Sequence, residues 1–227
     1  MPTCWLSFDP DEVVDFFAVM NDFIEKLKSR LADELPGETA QFRMAPGSRK
    51  RTSGTLWESV GPQQSAVLLY LFPHLGDWRI VLMKRTQYDG AHSGQVSIPG
   101  GRLEPGEDHM QAALREFEEE TGVCVDRRQL LGNLSELFIP TSNFLVNPFV
   151  AYTDERPRFD PDPLEVEQLI EMQVPRLISD GSVKRGSVPL GNGVRVDTPY
   201  FDVQGHVVWG ATAMILSELK EVLRDMH

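Results

Sequence analysis

The chain has 227 residues, 41% hydrophobic and 25% charged, the balance of a soluble globular protein with one good core and room for a small extension. Its 22 Lys and Arg against 34 Asp and Glu leave a formal net charge of −12, which speaks against nucleic acid as a partner, since a general binder needs a basic footprint. Cys4 and Cys124 are the only cysteines and no run of about 18 apolar residues occurs, which speaks against a disulfide framework and a membrane-spanning helix.

The opening MPTCWLSFDPDE has no basic region and no apolar core of signal-peptide length, so a cytoplasmic protein is expected. Phe8-Asp9-Pro10-Asp11-Glu12 is a helix start, with Asp9 as cap, Pro10 at the first position and Glu12 closing a box. Phe16, Met20, Phe23, Leu27 and Leu31 follow at helical spacing and predict an amphipathic helix over 10–34. Its apolar face packs on the core; a homodimer contact is the alternative. Residues 35–63, rich in Gly, Pro, Ser and Arg, read as an irregular arm. This divides the chain into residues 1–63, a helix and arm packed on the core, and 64–227, the main domain. The basic run Ser48-Arg49-Lys50-Arg51 reads as an exposed linker patch, with phosphate binding as the alternative.

Ser65–Phe72 and Trp78–Met83 predict a hairpin around Pro73–Asp77, and Gln95–Ile98 a short strand. Glu107–Thr121 has helix-forming composition, with Pro105-Gly106 as a turn before it and Gly122 as a left-handed cap after it. At ~100° per residue, Met110, Ala113, Leu114 and Phe117 share one face, which packs on a sheet, and Glu116, Glu119 and Glu120 share a second. Cys124 follows as a small core residue. Residues 130–138 and 145–153 read as strands around a Pro140–Asn143 turn, and 154–164 as a Pro/Asp-rich loop bordering a pocket. Glu167–Val174 returns as a strand and Pro175–Ile178 starts a short turn or helix. Gly186–Pro189, Arg195–Val196 and Tyr200–Val203 are smaller strands. Val207–Trp209 ends a strand before a helix at 211–225, with Ile215, Leu219, Val222 and Leu223 inward.

The three acids carry the chemistry. They sit near the negative end of the helix dipole, where carboxylates are disfavoured. Lining a cleft, each like-charge pair at about 5.5 Å costs roughly 3 kcal/mol at an effective dielectric near 20, and only a cation relieves that. On a solvated acidic helix, the alternative for an arbitrary run of this kind, the cost is about 0.2–0.5 kcal/mol per pair. Hard carboxylate oxygens point to Mg²⁺ or Mn²⁺.

Gly101, Glu107, Arg115-Glu116, Glu119-Glu120 and Gly122-Val123, within GRLEPGEDHMQAALREFEEETGV, together resemble the Nudix box, with Phe117 and Val123 at its two apolar positions. Just upstream, LMKRTQYDGAHSGQVSIPGG is similar to the extra signature of the coenzyme A pyrophosphatase branch of that family. The matches are Arg85, Thr86, His92, Gly94, Val96, Pro99, Gly100 and Gly101. Trp209-Gly210-Ala211-Thr212 resembles a further segment of the branch. Tyr88-Asp89-Gly90 stands where the branch usually has a Leu-Arg pair, Ile98 where it has Phe, and Ala211 where it has Leu.

The resemblance implies an α+β Nudix fold, an α/β/α sandwich with a mixed central sheet. It implies Glu116 and Glu120 as direct metal ligands, Glu119 as a ligand to a second ion or through water, and the Gly100 carbonyl as a backbone ligand. Arg115 would orient a glutamate by ion pairing and Glu107 would brace the loop; surface salt bridging is the plainer reading of both. The base is Glu119 or a carboxylate on a later loop, Glu165 or Glu167, the latter also readable as an acidic entry to a strand. Lys84, Arg85 and His92 are the candidate substrate contacts. Divalent ions so held stabilise phosphoryl charge and acidify bound water, which suits hydrolysis of a pyrophosphate bond. The expected substrate is coenzyme A or acyl-CoA, a small molecule, yielding 3′,5′-ADP and (acyl-)phosphopantetheine. ADP-ribose, NADH or another nucleoside diphosphate derivative is the alternative, and a non-catalytic nucleotide-binding module the third reading.

Overall fold

The structure, a computed structural model, describes residues 10–47, 49, 59–87, 94–189 and 194–226, with side chains from Met20 onward in the first helix. Its spine is β1 (Gln63–His74), which turns at Leu75-Gly76 into its antiparallel partner β2 (Asp77–Arg85). The first half of β1 pairs antiparallel with β4 (Gly100–Arg102), and its other edge runs parallel to β7 (Phe144–Tyr152). β2 also carries β3 (Val96–Ser97) and β8 (Val166–Gln173), and β7 carries β5 (Leu130–Asn133) and β6 (Leu137–Ile139). The result is a mixed eight-stranded sheet.

Alternation along β1 explains the layering. Ala66, Leu68, Tyr70 and Phe72 face one side, where Ala112, Ala113 and Phe117 of α3 (His109–Thr121) cover them. Leu69 and Leu71 face the other, into a larger core shared with α1 (Pro10–Ala32) and α5 (Gly210–Arg224). A strand buried on both faces reads as a continuous apolar run, as Ser65–Phe72 does. The α/β/α sandwich expected from the sequence is therefore present. No described helix is long and apolar enough to cross a membrane.

The N-terminal helix buries Met20, Ile24, Leu27 and Leu31, and Phe23 stacks on Trp78 with ring centroids 5.5 Å apart. Asp9 and the Phe16 side chain lie outside the described residues. The arm is more ordered than expected: α2 (Gly37–Gln41) and a 3-10 turn, Phe42–Met44, pack on α5. A buried acid organises this contact. Glu218, fully shielded from solvent, accepts hydrogen bonds from the Gly37 N–H (3.1 Å), Gln41 Nε2 (2.8 Å) and the Ser135 N–H (3.2 Å). Burying an acid is tolerated when its lone pairs are met this way. Arg49 corrects the linker-patch reading where it is described: its guanidinium lies over the Phe42 ring, donates to the Phe138 carbonyl, and burial lowers its pKa. Ser48, Lys50 and Arg51 lie outside the described residues.

The strand expected over 130–138 is two, because Ser135 turns its N–H out of the ladder to Glu218. The small strands at 195–196 and 200–203 are one, β10 (Arg195–Val203), between β9 (Val183–Pro189) and β11 (His206–Val208). Pro199 is accommodated because β11 reaches only as far as Phe201, leaving that side of the strand unpaired. α4 (Val174–Ile178) forms with Pro175 in its first turn. Ile215, Leu219, Val222 and Leu223 of α5 are inward as predicted. Cys124 is exposed, not a core residue: Val125 turns inward and leaves the thiol beside Glu118.

Candidate active site

The acidic helix is fixed at both ends. Asp108 caps α3 by accepting from the Gln111 N–H (2.7 Å), while the Gln111 side chain accepts from the Asp108 N–H (2.8 Å). The helix therefore starts at His109, two residues later than the composition predicts, and Glu107 is left free for other work. At the far end Gly122 takes the left-handed conformation, φ 72°, with the Asp160 carbonyl so close that a Cβ would lie 2.5 Å from it. The loop entering β8 is thus held to the end of the helix, and the Asp160 N–H closes the contact on the Thr121 carbonyl (2.9 Å).

Arg115 is the hub of the outer flank. Its Nε and Nη2 donate to the two oxygens of Glu107 (2.7 and 3.0 Å), Nη1 to Glu116 (2.9 Å) and Glu119 (3.1 Å), and Nη2 to the Arg102 carbonyl (3.0 Å). Glu107 also accepts from the Glu104 N–H (2.8 Å), and its bonds to Arg115 hold its carboxyl below the usual range. One cation thereby ties the loop before the helix to two acids on it.

The inner flank is different. Glu120 is 1% exposed; one oxygen accepts from the Gly100 N–H (2.7 Å) and the other from Arg85 Nη2 (3.2 Å). The same Arg85 nitrogen reaches the Gly100 carbonyl (3.3 Å). Burial pushes the Glu120 carboxyl up to about 8, helped by the charges of Glu116 and Glu165 and opposed by Arg85 and the Gly100 N–H. Burial also raises Glu116, against the pull of Arg115. The single face expected for the three acids is therefore split. Glu116 lies between the others on the helix; the sheet buries Glu120 on one side and leaves the Glu119 side chain 59% exposed on the other.

The glycine turn meets these acids at close range. Val67 pairs with Gly100 and Ala66 with Gly101, and the Gly100 position, φ 147°, leaves no room for a side chain. At Gly101 a Cβ would lie 2.3 Å from Cδ of Glu116, so this carboxylate rests directly on the backbone beside Gly100. Glu165 is exposed, but its charge acts on both Glu116 and Glu120, and its carbonyl accepts from the Thr86 N–H (3.0 Å). Lys84 is bound to Glu167 (2.5 Å), which the register shift between Lys84 and Arg85 leaves as the unpaired residue of β8. Trp209 occupies the cap position of α5, and Thr212 Oγ1 donates to the Val96 carbonyl (3.3 Å), joining that segment to β3. His92 lies outside the described residues. The Arg85–Glu120 bridge was not anticipated; it spans 35 positions, and only the acid's place on the helix and the arginine at a strand end hinted at it.

Among the described residues no three His, Cys, Asp or Glu side chains converge closely enough to hold a metal as they stand. The donor chemistry nevertheless fits a hard divalent cation. The Glu120 carboxylate and the Gly100 carbonyl share a guanidinium, a cation already seated between them, and Glu116 backs onto the next residue.

The raised Glu120 carboxyl has a testable consequence without metal. Above its ordinary 4.5 and below about 8, the native state holds a proton that the unfolded chain releases, so this group's contribution to stability falls as pH rises through that window. In EDTA, the melting temperature of Glu120→Gln relative to wild type should climb between about pH 5 and about pH 8. A pH-independent difference would show that the buried acid holds no proton there.

A mixed sheet between helical layers, with an acidic capped helix laid against a paired glycine turn, defines the Nudix class of domain. Residues 62–177, half of the chain, match the NUDIX domain family model, and the chain belongs to that family. It is 32% identical over 163 residues to Nudix hydrolase 15, mitochondrial, of Arabidopsis thaliana, covering 68% of this chain and 56% of that protein. It is 27% identical over 183 residues to the mitochondrial coenzyme A diphosphatase NUDT8 of Homo sapiens, covering 80% of this chain and 71% of that one. The chain spans about half the length of the Arabidopsis relatives it matches. Among solved structures, a MutT/nudix family protein from Enterococcus faecalis superposes with a TM-score of 0.51 over 82% of this chain and 68% of that one, at 14% identity, a likeness of fold.

Proposed function

We propose that the chain is a divalent-metal-dependent pyrophosphohydrolase that cleaves coenzyme A or acyl-CoA into 3′,5′-ADP and (acyl-)phosphopantetheine. The observation that carries the reaction class is the buried Glu120 carboxylate held against the Gly100 turn, with Glu116 alongside. The substrate rests on the signature at residues 82–101 and on the likeness to the human coenzyme A diphosphatase.

Glu116, Glu120 and the Gly100 carbonyl would hold Mg²⁺ or Mn²⁺, with Glu119 serving a second ion or acting through water. When bound, such ions stabilise charge on the phosphoryl oxygens and lower the pKa of water. Arg115 orients Glu116 and Glu119 through its two hydrogen bonds to them. Glu119 or Glu165 takes a proton from the attacking water. The water oxygen forms a bond to one phosphorus, the bridging P–O bond breaks, and the two products leave as phosphate monoesters. Arg85, His92 and Lys84 are the substrate contacts of this scheme; Lys84 would have to leave Glu167 to serve. The cytoplasm fits a chain with two cysteines, one of them exposed.

Tyr88-Asp89-Gly90, where the branch usually carries a Leu-Arg pair, favours a second reading: a different nucleoside diphosphate derivative. Coenzyme A, ADP-ribose and NADH assayed in parallel with Mg²⁺ and Mn²⁺, with products read by mass, decide between them. Coenzyme A should be turned over fastest, with 3′,5′-ADP as a product. Equal rates on all three would reject the preference, and no metal-dependent turnover of any would return the chain to the binding-module reading.

A further inference from the structure

Arg85 is placed for more than a substrate contact. It ends β2 where the ladder with β8 loses register, a feature that re-aims side chains beside functional sites. Its Nη2 lies 3.2 Å from Glu120 and 3.3 Å from the Gly100 carbonyl, two of the oxygen groups assigned above to the ion. Its side chain is 24% exposed, whereas that of Glu120 is 1% exposed, so the arginine approaches the acid from the open side. A guanidinium and a divalent cation cannot both neutralise these oxygens from that side. Like charges at such range repel, and Glu120 has one oxygen left after meeting the Gly100 N–H.

We infer that Arg85 is a positioning residue that occupies the cation's place in the metal-free protein, and that metal binding frees its guanidinium for the anionic diphosphate of the substrate. This rests on the metal-dependent reading above. The arginine keeps the buried Glu120 side chain aimed at the turn while no ion is present. Displaced, it becomes a fork-shaped donor suited to phosphoryl oxygens. Tight substrate binding then follows metal binding, in that order, and the same residue weakens the first step while strengthening the second.

The test reads binding, not turnover. Free Mn²⁺ is followed by electron paramagnetic resonance as it is titrated into the metal-free 227-residue wild type, Arg85→Ala and Arg85→Lys, each checked for a native melting transition. Removal of the competing cation should tighten Mn²⁺ binding about tenfold in Arg85→Ala, with Arg85→Lys between. In parallel, α,β-methylene-ADP should bind wild type more tightly once the metal is saturating, and that enhancement should disappear in Arg85→Ala. A merely structural arginine predicts the opposite for the metal: binding unchanged or weaker, because the turn loses its support. Either of those results, or an enhancement that survives the substitution, overturns the inference. Neither measurement depends on hydrolysis, so failure of the proposed reaction in the substrate assay is distinguishable from failure here.

Discussion

Glu120→Gln is expected to lower the proposed metal-dependent hydrolysis of coenzyme A on the order of 10²–10³-fold in kcat, with the fold retained. The substitution exchanges a carboxyl for an amide with almost no change in volume. Helix α3 keeps the contacts that hold it to the sheet, Ala112, Ala113 and Phe117, none of which touches the acid's chemistry. The new amide oxygen can still accept from the Gly100 N–H, as the carboxylate does at 2.7 Å. What is lost is a hard anionic ligand for the ion at the one site acid among the described residues that is fully buried, where water cannot replace it. Kinetics with Mg²⁺ and Mn²⁺, Mn²⁺ titration and a melting curve check the three parts of the expectation. Wild-type-like turnover in this variant would remove Glu120 from the metal site and with it the reaction proposed above. A loss of turnover with the melting transition also gone would show that the residue serves the fold first.

The same residue shows what could be read from the chain and what could not. The helix, its left-handed Gly122 end and the turn before it follow from local composition, because capping and propensity are short-range effects. The apolar runs of β1 and β2 were equally plain, since both faces of a central strand are buried. Helical spacing also brought Glu116, Glu119 and Glu120 to one side. It could not say which flank of that side meets the sheet, because a rotation of the helix by a fraction of a turn leaves the sequence pattern intact. Packing of Phe117 and Ala113 against Leu68 and Tyr70 sets that rotation, and so buries Glu120 and exposes Glu119. Long-range partners were out of reach for the same reason: nothing near Arg85 announces Glu120, and nothing near Gln41 announces Glu218. The helix at 37–41 was hidden by its short length and by the Pro36-Gly37 pair, which reads as loop until α5 supplies the surface that orders it.

Adjacent glycines should respond to alanine in opposite ways. Gly100→Ala is expected to destabilise the protein by about 4 kcal/mol, enough to deplete the folded state. Its φ of 147° is one that residues with a Cβ rarely adopt, and the added carbon would sit 2.3 Å from the Ala66 carbonyl oxygen and 2.6 Å from Val67 Cα. Both are main-chain atoms of β1, locked on their other edge into the parallel ladder with β7, so they cannot yield without opening the sheet. At Gly101 the added carbon would meet Glu116 instead, 2.3 Å from Cδ, and a carboxylate at the end of a flexible side chain can swing away. Its φ is unremarkable, so the backbone accepts alanine. Gly101→Ala should therefore melt within about 1.5 kcal/mol of wild type while Mn²⁺ binding and turnover fall, because Glu116 no longer lies against the turn. Denaturant unfolding of both variants, with Mn²⁺ titration of Gly101→Ala, tests the pair. If Gly101→Ala keeps wild-type metal affinity, Glu116 does not act from the position it occupies here. If Gly100→Ala unfolds like wild type, the close approach of β4 to β1 is not what holds the turn.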